Sequence, residues 1–565
     1  MSRGAILLTA ALAALLLVPY ALQAAPTAAY AVAIDTSGTD RAAAALVLPD
    51  GTVALVGEAC SGDALIAFYE PGSGSGRVYV VGQYSKPPAV ADVEEMSAAS
   101  GLAPGGGGVV VVGSYLHRPF FAEAGARGVG ALHVVEKAGG YRVRGLLQAV
   151  APLGDGGYVA AGAVRLSRYV LGEWERVGSY ILVVFLGEGL EVRGAYLVDI
   201  KGGGEEQVSS IVVAGDAVYI GGSTRESYGD GFLLKMGVDG TPDWVLLFSS
   251  PQRKVSTDYV LSVAAGGDGV LVAGYYTVSE GYRENGFAAY VTPGGRVEWS
   301  VAASLRPLTR ATAAVGLPGG GFIVAVKAVK AEHMVYETYL VRLSGGEPVE
   351  AVALGVPGFS GFVDVAALSP VEGGLLVGGA LTRKYNAAAL AVAAPWPLQD
   401  NISYVWEEAV LLRYYRPSQA AAERILGGFG AEPPRVSQGE AEVKKVELTV
   451  TQEEPVLQDC GASVEAAGAE AAGSAGAGNE AVEGGSQQAA PQQPAQQAEE
   501  TQGGAGGENA SSRPAVGGGA EEAPAPAEPA PLLPGFAVYG LAALGVVAVA
   551  AVGLLVLRRR GGGEW

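Results

Sequence analysis

One unit recurs seven times along this chain, and that recurrence limits the possible folds more than any other feature. Residues 261–275, LSVAAGGDGVLVAGY, run from a small-residue apolar strand through a Gly/Asp turn into a second apolar strand closed by glycine and tyrosine. The same register returns at 42–58, 96–115, 148–164, 208–223, 311–327 and 362–380. The closing position holds Gly57, Gly113, Gly162, Gly221, Gly274 and Gly378, with Val326 in the sixth unit. A period of about 50 residues indicates an array of supersecondary units that bury their faces against one another.

Each hairpin is followed by a variable connection and two more apolar runs. In the fourth unit GFLLKMGVDGTPDWVLLFS places strands at 232–236 and 244–248 around Asp239-Gly240, and the fifth matches it with GFAAYVTPGGRVEWSVAAS. Four strands per unit fit the spacing. The second strands (VALVG, VVVVG, VLVAG, LLVGG) are apolar on successive residues, so both sheet faces must be buried. A β-sandwich strand alternates apolar with polar, whereas a propeller blade is packed between two others. The expectation is an all-β, seven-bladed β-propeller over residues 29–397, with the Ala- and Ser-rich first strands crowded at its axis. Each buried Val or Leu would contribute about 1.5–3 kcal/mol. Residues 30–35 are expected to supply the missing outermost strand of unit seven and so close the series, with 402–406 as a competitor for that slot.

The flanks read differently. Residues 1–25 have the basic start, apolar core and small-residue end of a signal peptide. Residues 398–459 read as a small appended region, with a short helix in 418–430 and an exposed strand in 442–452. Residues 460–533, rich in Ala, Gly, Glu, Gln and Pro, cannot bury enough apolar surface to order themselves and read as a disordered acidic stalk. Residues 536–557 are uncharged and long enough to cross a bilayer, and the tail 558–565 opens with Arg558, Arg559 and Arg560, which places the head outside the cell.

These repeats resemble those of secreted β-propeller proteins of bacteria and archaea, whose units read apolar strand, turn, V-A-G-Y, variable loop, G-x-V-x-W. Pro534-Gly535-Phe536 before an apolar helix and arginines resembles the PGF-type anchor of archaeal surface proteins. That resemblance implies a sorting peptidase that exchanges the helix for a lipid; retention as a simple span is the alternative.

A net charge of −20 argues against nucleic-acid binding. The three histidines, His117, His133 and His333, are scattered, and no motif calls for a metal or cofactor. Asp239 and Asp243 beside Trp244 read as a turn and a packing tryptophan. Cys60 and Cys460 either pair in an oxidising exterior or stay separate. Asn401 (NIS) and Asn509 (NAS) are glycosylation sequons.

Function is expected where the repeat breaks down, in the connections between second and third strands at 115–128, 165–179, 224–230, 275–285 and 327–337, with the matching one in unit seven. They carry Tyr115, Arg118, Phe120, Phe121, Arg168, Tyr169, Trp174, Arg176, Tyr228, Tyr276, Tyr282, Arg283, Tyr336, Arg383 and Tyr385. Tyr, Trp and Arg dominate recognition surfaces, and loops on a rigid scaffold carry function. The expectation is a membrane-tethered extracellular binding or scaffolding module for a surface glycan or envelope protein. An exported glycan lyase, hydrolase or quinoprotein is the alternative, with Glu173, Glu175, Asp230, Glu280 and Glu284 as its carboxylates by location alone.

Overall fold

The computed structural model describes residues 29–471, apart from 37–38, 61, 83–96, 201–204, 225–228, 253–257, 280–282, 331–334, 357–360, 384–385 and 407–408. The signal peptide, the stalk beyond 471, Asn509, Pro534, Gly535, Phe536 and Arg558–Arg560 lie outside the described residues, as do Tyr228, Tyr282, Tyr385, Glu280 and His333.

The described chain is nearly all-β and almost wholly antiparallel. It opens with β1 (Tyr30–Asp35). Unit 1 is β2 (Arg41–Val47), β3 (Val53–Ala59), β4 (Asp63–Glu70) and β5 (Ser75–Val81). Unit 2 is β6 (Ala98–Gly105), β7 (Gly108–Tyr115), β8 (Arg118–Gly125), the short β9 (Gly128–Val129) and β10 (Leu132–Ala138). After β11 (Tyr141–Gly145), unit 3 has β12 (Ala149–Pro152), β13 (Tyr158–Val170), β14 (Glu173–Leu186) and β15 (Val192–Ile200). Unit 4 holds β16 (Glu206–Ala214), β17 (Ala217–Thr224), β18 (Gly231–Gly237) and β19 (Pro242–Ser249). Unit 5 has β20 (Tyr259–Gly266), β21 (Gly269–Ser279), β22 (Arg283–Val291) and β23 (Val297–Ala303). Unit 6 has β24 (Leu308–Gly316), β25 (Phe322–Lys330), β26 (Val335–Ser344) and β27 (Glu347–Gly355). Unit 7 has only β28 (Gly361–Val371), β29 (Gly374–Arg383) and β30 (Asn386–Pro395) of its own.

β1 supplies the fourth strand of unit 7, pairing antiparallel with β30 from Tyr30–Ala393 to Ile34–Ala389. The competitor, β31 (Ile402–Trp406), does not pair with β30; β36 and β1 lie between them in the sheet. Each first strand lies against the first strand of the next unit, and β28 lies against β2, so the series of contacts returns to its start.

The core sits between units rather than within them, which is why the second strands are apolar on both faces. Units 1 and 2 share Val56, Ile66, Val111 and Phe120, units 2 and 3 share Val110, Phe121 and Val184, and units 3 and 4 share Val183, Ile211 and Leu234. Leu233, Val272, Phe287 and Val324 join units 4 to 6. Ile323, Leu340, Val377 and Leu390 join units 6 and 7, and Leu376, Leu55 and Leu65 join unit 7 to unit 1.

The recurring glycine has a structural cause. In six units the first strand carries a β-bulge near its start, for instance between Val260 and Ser262. Beside it a first-strand carbonyl lies close against the second strand, and a Cβ at Gly274 would run into the carbonyl oxygen of Tyr259. Gly57, Gly113, Gly222 and Gly379 face the same obstruction from Arg41, Ala98, Gln207 and Asp364. In units 4 and 7 the position is therefore Gly222 and Gly379, one residue later than Gly221 and Gly378. First-strand hydroxyls bridge neighbouring units at the bulges: Ser210 Oγ accepts the Val263 N–H, and Ser262 Oγ accepts the Ala314 N–H, each at 3.1 Å.

Residues 398–459 are not a compact appendage. They form a strap that travels backwards around the outer strands of the units. β31 pairs with β32 (Ala409–Tyr415), and β32 adds to the edge of β27 in unit 6. The helix α1 (Gln419–Gly427), whose Ser418 cap accepts from the Ala421 N–H, packs on β27, and Ala431 bridges to Ala302 in unit 5. β33 (Arg435–Gly439) then pairs with β19 of unit 4, β34 (Ala441–Lys445) with β15 of unit 3, and β35 (Leu448–Glu453) with β10 of unit 2. Gln458 bonds Val80 in unit 1, where Cys460 forms a disulfide with Cys60 at a Cα separation of 6.3 Å. The chain does not become a stalk at Cys460: β36 (Ser463–Ala471) inserts between β1 and β31, completing the circuit at unit 7. An exposed strand edge is a template for aggregation, and the strap covers these edges unit by unit.

Among the described residues no helix is long and apolar enough to cross a membrane.

Candidate binding face

Within each unit the second strand ends, and the third begins, opposite the tight first-to-second-strand turn, as β21 and β22 do relative to Gly266–Gly269. At this end the starts of the first strands carry a set of buried polar side chains that tie down the incoming backbone. Asp258 accepts the Thr277 N–H (2.9 Å) and the Ser250 N–H (2.8 Å). Gln148 accepts from Ala163, Thr309 from Leu305 and Arg306, and Ser97 from Leu116. In unit 4 Glu206 accepts from Ile200, its other oxygen has no partner, and burial pushes its carboxyl up to about 8, helped by the nearby Asp199. Asp63 in unit 1 is likewise raised by burial, to about 6. These groups brace the scaffold.

Several residues expected in loops belong to the core. The segment 115–128 is a hairpin: Tyr115 and Arg118 are cross-strand partners across a two-residue turn in which Leu116 and His117 both take positive φ. Such turns usually advertise themselves with Asn or Gly, and without that signal the segment looked like an elaborated loop. Tyr115, Phe120 and Phe121 are buried, with Phe121 stacked on His133 at 5.1 Å. Arg118 is held by Glu136 and, at 2.8 Å, by Glu453 of the strap. Tyr276 is also buried; its hydroxyl donates to the Glu432 carbonyl of the strap and accepts from Asn285. These five residues are no ligand surface; they hold the core and the strap. Arg283 is exposed at the start of β22, while Tyr336 and Arg383 lie in β26 and β29.

Two features remain at this end. The first is a charged and aromatic cluster spanning units 5, 6, 7 and 1, whose members are far apart in the sequence. Glu284 chelates Arg310, whose guanidinium lies 4.4 Å from the Tyr275 ring, itself stacked on Tyr259 at 5.1 Å. Lys327 pairs with Asp364 at 2.8 Å and lies over Phe362. Burial pushes the Lys327 ammonium below its ordinary value, with Asp364 opposing the shift and Arg310 and Arg41 adding to it. Burial raises Glu58, partly offset by Arg41. Its charges are matched within the cluster, so it reads as a brace between units.

The second is in unit 3, where β13 and β14 run past the neighbouring strands as a two-stranded ribbon, and residues 168–177 are all exposed. At its turn Leu171 takes φ 51° and is fully solvent-exposed. Tyr169 and Trp174 are direct cross-strand partners, 63% and 54% exposed, with ring centroids 5.3 Å apart. Arg142, from β11, lies over the Trp174 ring at 4.8 Å. Arg168 pairs with Glu175 at 2.8 Å, and Arg176 with Glu205 at 2.6 Å. Of the residues expected to bind, Arg168, Tyr169, Trp174 and Arg176 are thus brought together on an exposed element.

Among the carboxylates proposed by location, Glu175 and Glu284 are engaged by Arg168 and Arg310, Asp230 accepts into the Thr224 turn through its carbonyl, and Glu173 stands opposite Val170 in the ribbon. Among the described residues no group of three or more His, Cys, Asp or Glu side chains is placed to hold a metal ion. Asn401 is exposed, its side-chain oxygen accepting the Arg416 N–H at 3.0 Å. The sequence matches no protein-family model and no curated protein.

Proposed function

We propose that the chain is an exported, membrane-tethered seven-bladed β-propeller that binds a surface glycan or another envelope protein at its second-to-third-strand end. The architecture rests on the seven units, on core clusters shared between neighbours and on first-strand contacts that return from β28 to β2. Export is supported by the signal-like start and by the Cys60–Cys460 disulfide, since such bonds persist in oxidising compartments. The apolar run 536–557 followed by arginines supplies the tether, as a span or as the signal for a lipid anchor. Asn401 and Asn509 would carry glycans.

The observation that carries the binding function is the asymmetry of the two ends. One is trimmed to tight turns, while the other extends β13 and β14 into solvent with large aromatic side chains uncovered. Evolution keeps exposed aromatics off a surface unless something covers them. The test is co-sedimentation of the purified full chain, in detergent, with cell-envelope fragments of its source. Retention of the wild-type chain on that material is expected, and its absence would refute the reading.

A further inference from the structure

The residues of the unit 3 ribbon divide sharply between its two faces. Side chains alternate along a strand and cross-strand partners share a face. Arg165 pairs with Arg144, and Ser167 with both Arg142 and Arg176, across a bulge that keeps them in step, while Tyr169 pairs with Trp174. One face therefore carries Arg142, Arg144, Arg165 and Arg176 together with Tyr169 and Trp174. The side-chain contacts agree: Arg142 lies on Trp174, and Arg165 and Arg176 both bond Glu205. The other face carries Arg168, Val170, Glu173 and Glu175.

Arg142, Arg144, Arg165 and Arg176 share the aromatic face, and Glu205 bridges Arg165 and Arg176, in a protein whose net charge is −20. Rows of side chains on this face step by about 6.8 Å along the strands, and three strands side by side are about 10 Å wide. The result is a flat, cationic strip about 14 Å long that ends in two aromatic rings. Guanidinium forks match carboxylates and sulfates, and flat rings cover the apolar faces of sugars.

We infer that this face is a binding site for an acidic polysaccharide, one whose repeating sugars bear carboxylate or sulfate groups. The polymer would lie along the strip, its anions on Arg142, Arg176 and Arg165 and a sugar ring against Trp174 and Tyr169. Two adjacent rows of arginines, Arg144 with Arg165 and Arg142 with Arg176, suit a chain of repeating charges better than a single small anion. It suits a lipid surface less well, because Glu173 and Glu175 flank the tip on the other face and oppose insertion among anionic headgroups. The inference rests on the proposed role of this end of the molecule as a binding face.

The test uses the full chain in detergent, with polygalacturonate and dextran sulfate as probes and neutral dextran as comparator. Polygalacturonate or dextran sulfate binds, dextran does not, and binding falls steeply with added salt. Trp174→Ala, Arg142→Ser and Arg176→Ser each weaken binding tenfold or more, whereas Arg296→Ser, on the exposed turn between β22 and β23 of unit 5, changes it less than twofold. Unaltered melting of the variants guards against loss through misfolding. Binding of neither acidic polymer overturns the inference, as do equal binding of dextran and unchanged affinity in the Trp174 and Arg142 variants. Binding that appears only when phosphatidylglycerol is mixed into the micelles assigns the ribbon to lipid and also overturns it. If envelope fragments still retain these variants as well as wild type, the ribbon inference falls while the binding-face reading stands; if wild type is not retained, the reading itself falls.

Discussion

Removing the Cys60–Cys460 bond gives the most direct measure of what the strap contributes. The bond closes a loop of 400 residues, and the chain-entropy expression for a loop of that size gives about 6 kcal/mol, an upper figure because the unfolded chain is not featureless. With an unfolding entropy of about 2.1 cal/mol/K per residue over roughly 440 residues, the curve slopes at about 0.9 kcal/mol/K near its midpoint. Loss of the bond should therefore lower Tm by up to about 6 °C. The assay is calorimetry of the wild type with and without reductant and of Cys60→Ser/Cys460→Ser, with reduction verified by mass. Reduced wild type and the double variant should coincide. Hydrogen exchange should locate the loosening in 448–471, because β35, Gln458 and β36 lie on either side of Cys460. A fully reduced protein whose Tm moves by less than about 1 °C, with unchanged exchange in that segment, would show that the bond constrains nothing in the folding equilibrium.

Gly274→Ala sets a new Cβ against the fixed Tyr259 carbonyl and should cost about 3 kcal/mol or more, whereas Gly319→Ala, where a Cβ meets open space, should stay within about 0.5 kcal/mol; equal melting of the two variants would refute the obstruction. Glu206 is held well above its ordinary carboxyl range, to about 8. From the ordinary range up to that value the folded state keeps a proton that the unfolded chain has released, so this group makes stability fall as pH rises. Glu206→Gln should accordingly gain Tm over wild type between about pH 5 and pH 8.5, and an offset that stays constant across that range would contradict the assignment. Deleting residues 26–38 removes β1 from between β30 and β36 and should abolish the cooperative transition or lower Tm sharply; an unchanged melting curve would mean that closure lies elsewhere.

The repeat unit was legible because it is written in the chemistry of its strands. Consecutive apolar residues such as Val109–Val112 demanded two buried faces, and the structure buries all four between units 2, 1 and 3. β1 was legible for the same reason, as YAVAID has no other apolar surface to pair with. The strap was not. Its strands β33, β34 and β35 have one half-buried and one exposed face, with Lys444 and Lys445 among their residues, and such a pattern says that an edge is being covered without saying whose. The position of β36 was hidden too, because SVEAAGAEA shares its Ala/Gly/Glu composition with the residues that follow it. At the binding end, the aromatic content was visible but its burial was not: Tyr115 and Tyr276 look like Tyr169 in sequence, and only the neighbouring strands make them core. Arg142 and Arg144 went unnoticed because they lie on a strand that reads as scaffold, and Arg165 opens the 165–179 connection without standing out in it; a shared face becomes apparent only once register is known.

The strap also determines how load would enter the molecule. Anything attached beyond Ala471 pulls first on β36, which is held between β1 and β31 by backbone hydrogen-bond pairing, with Val464 and Ala467 packed against the core. Those bonds can yield in turn, but peeling back from Ala471 meets Cys460 after eleven residues, and there the covalent link passes the force into unit 1 at Cys60, beside the carboxylate of Asp40 that caps its backbone N–H. Unit 1 and β1 of unit 7 are adjacent in the series and share the Leu55, Leu65 and Leu376 core. The disulfide thus lies at the seam where the N-terminal strand closes the series, the place where a pull would otherwise open it. If the chain is held on a stalk outside the cell, as proposed, drag would act on that seam, and a single cross-link between the strap and the first unit protects it while leaving the ribbon end of unit 3 uncovered.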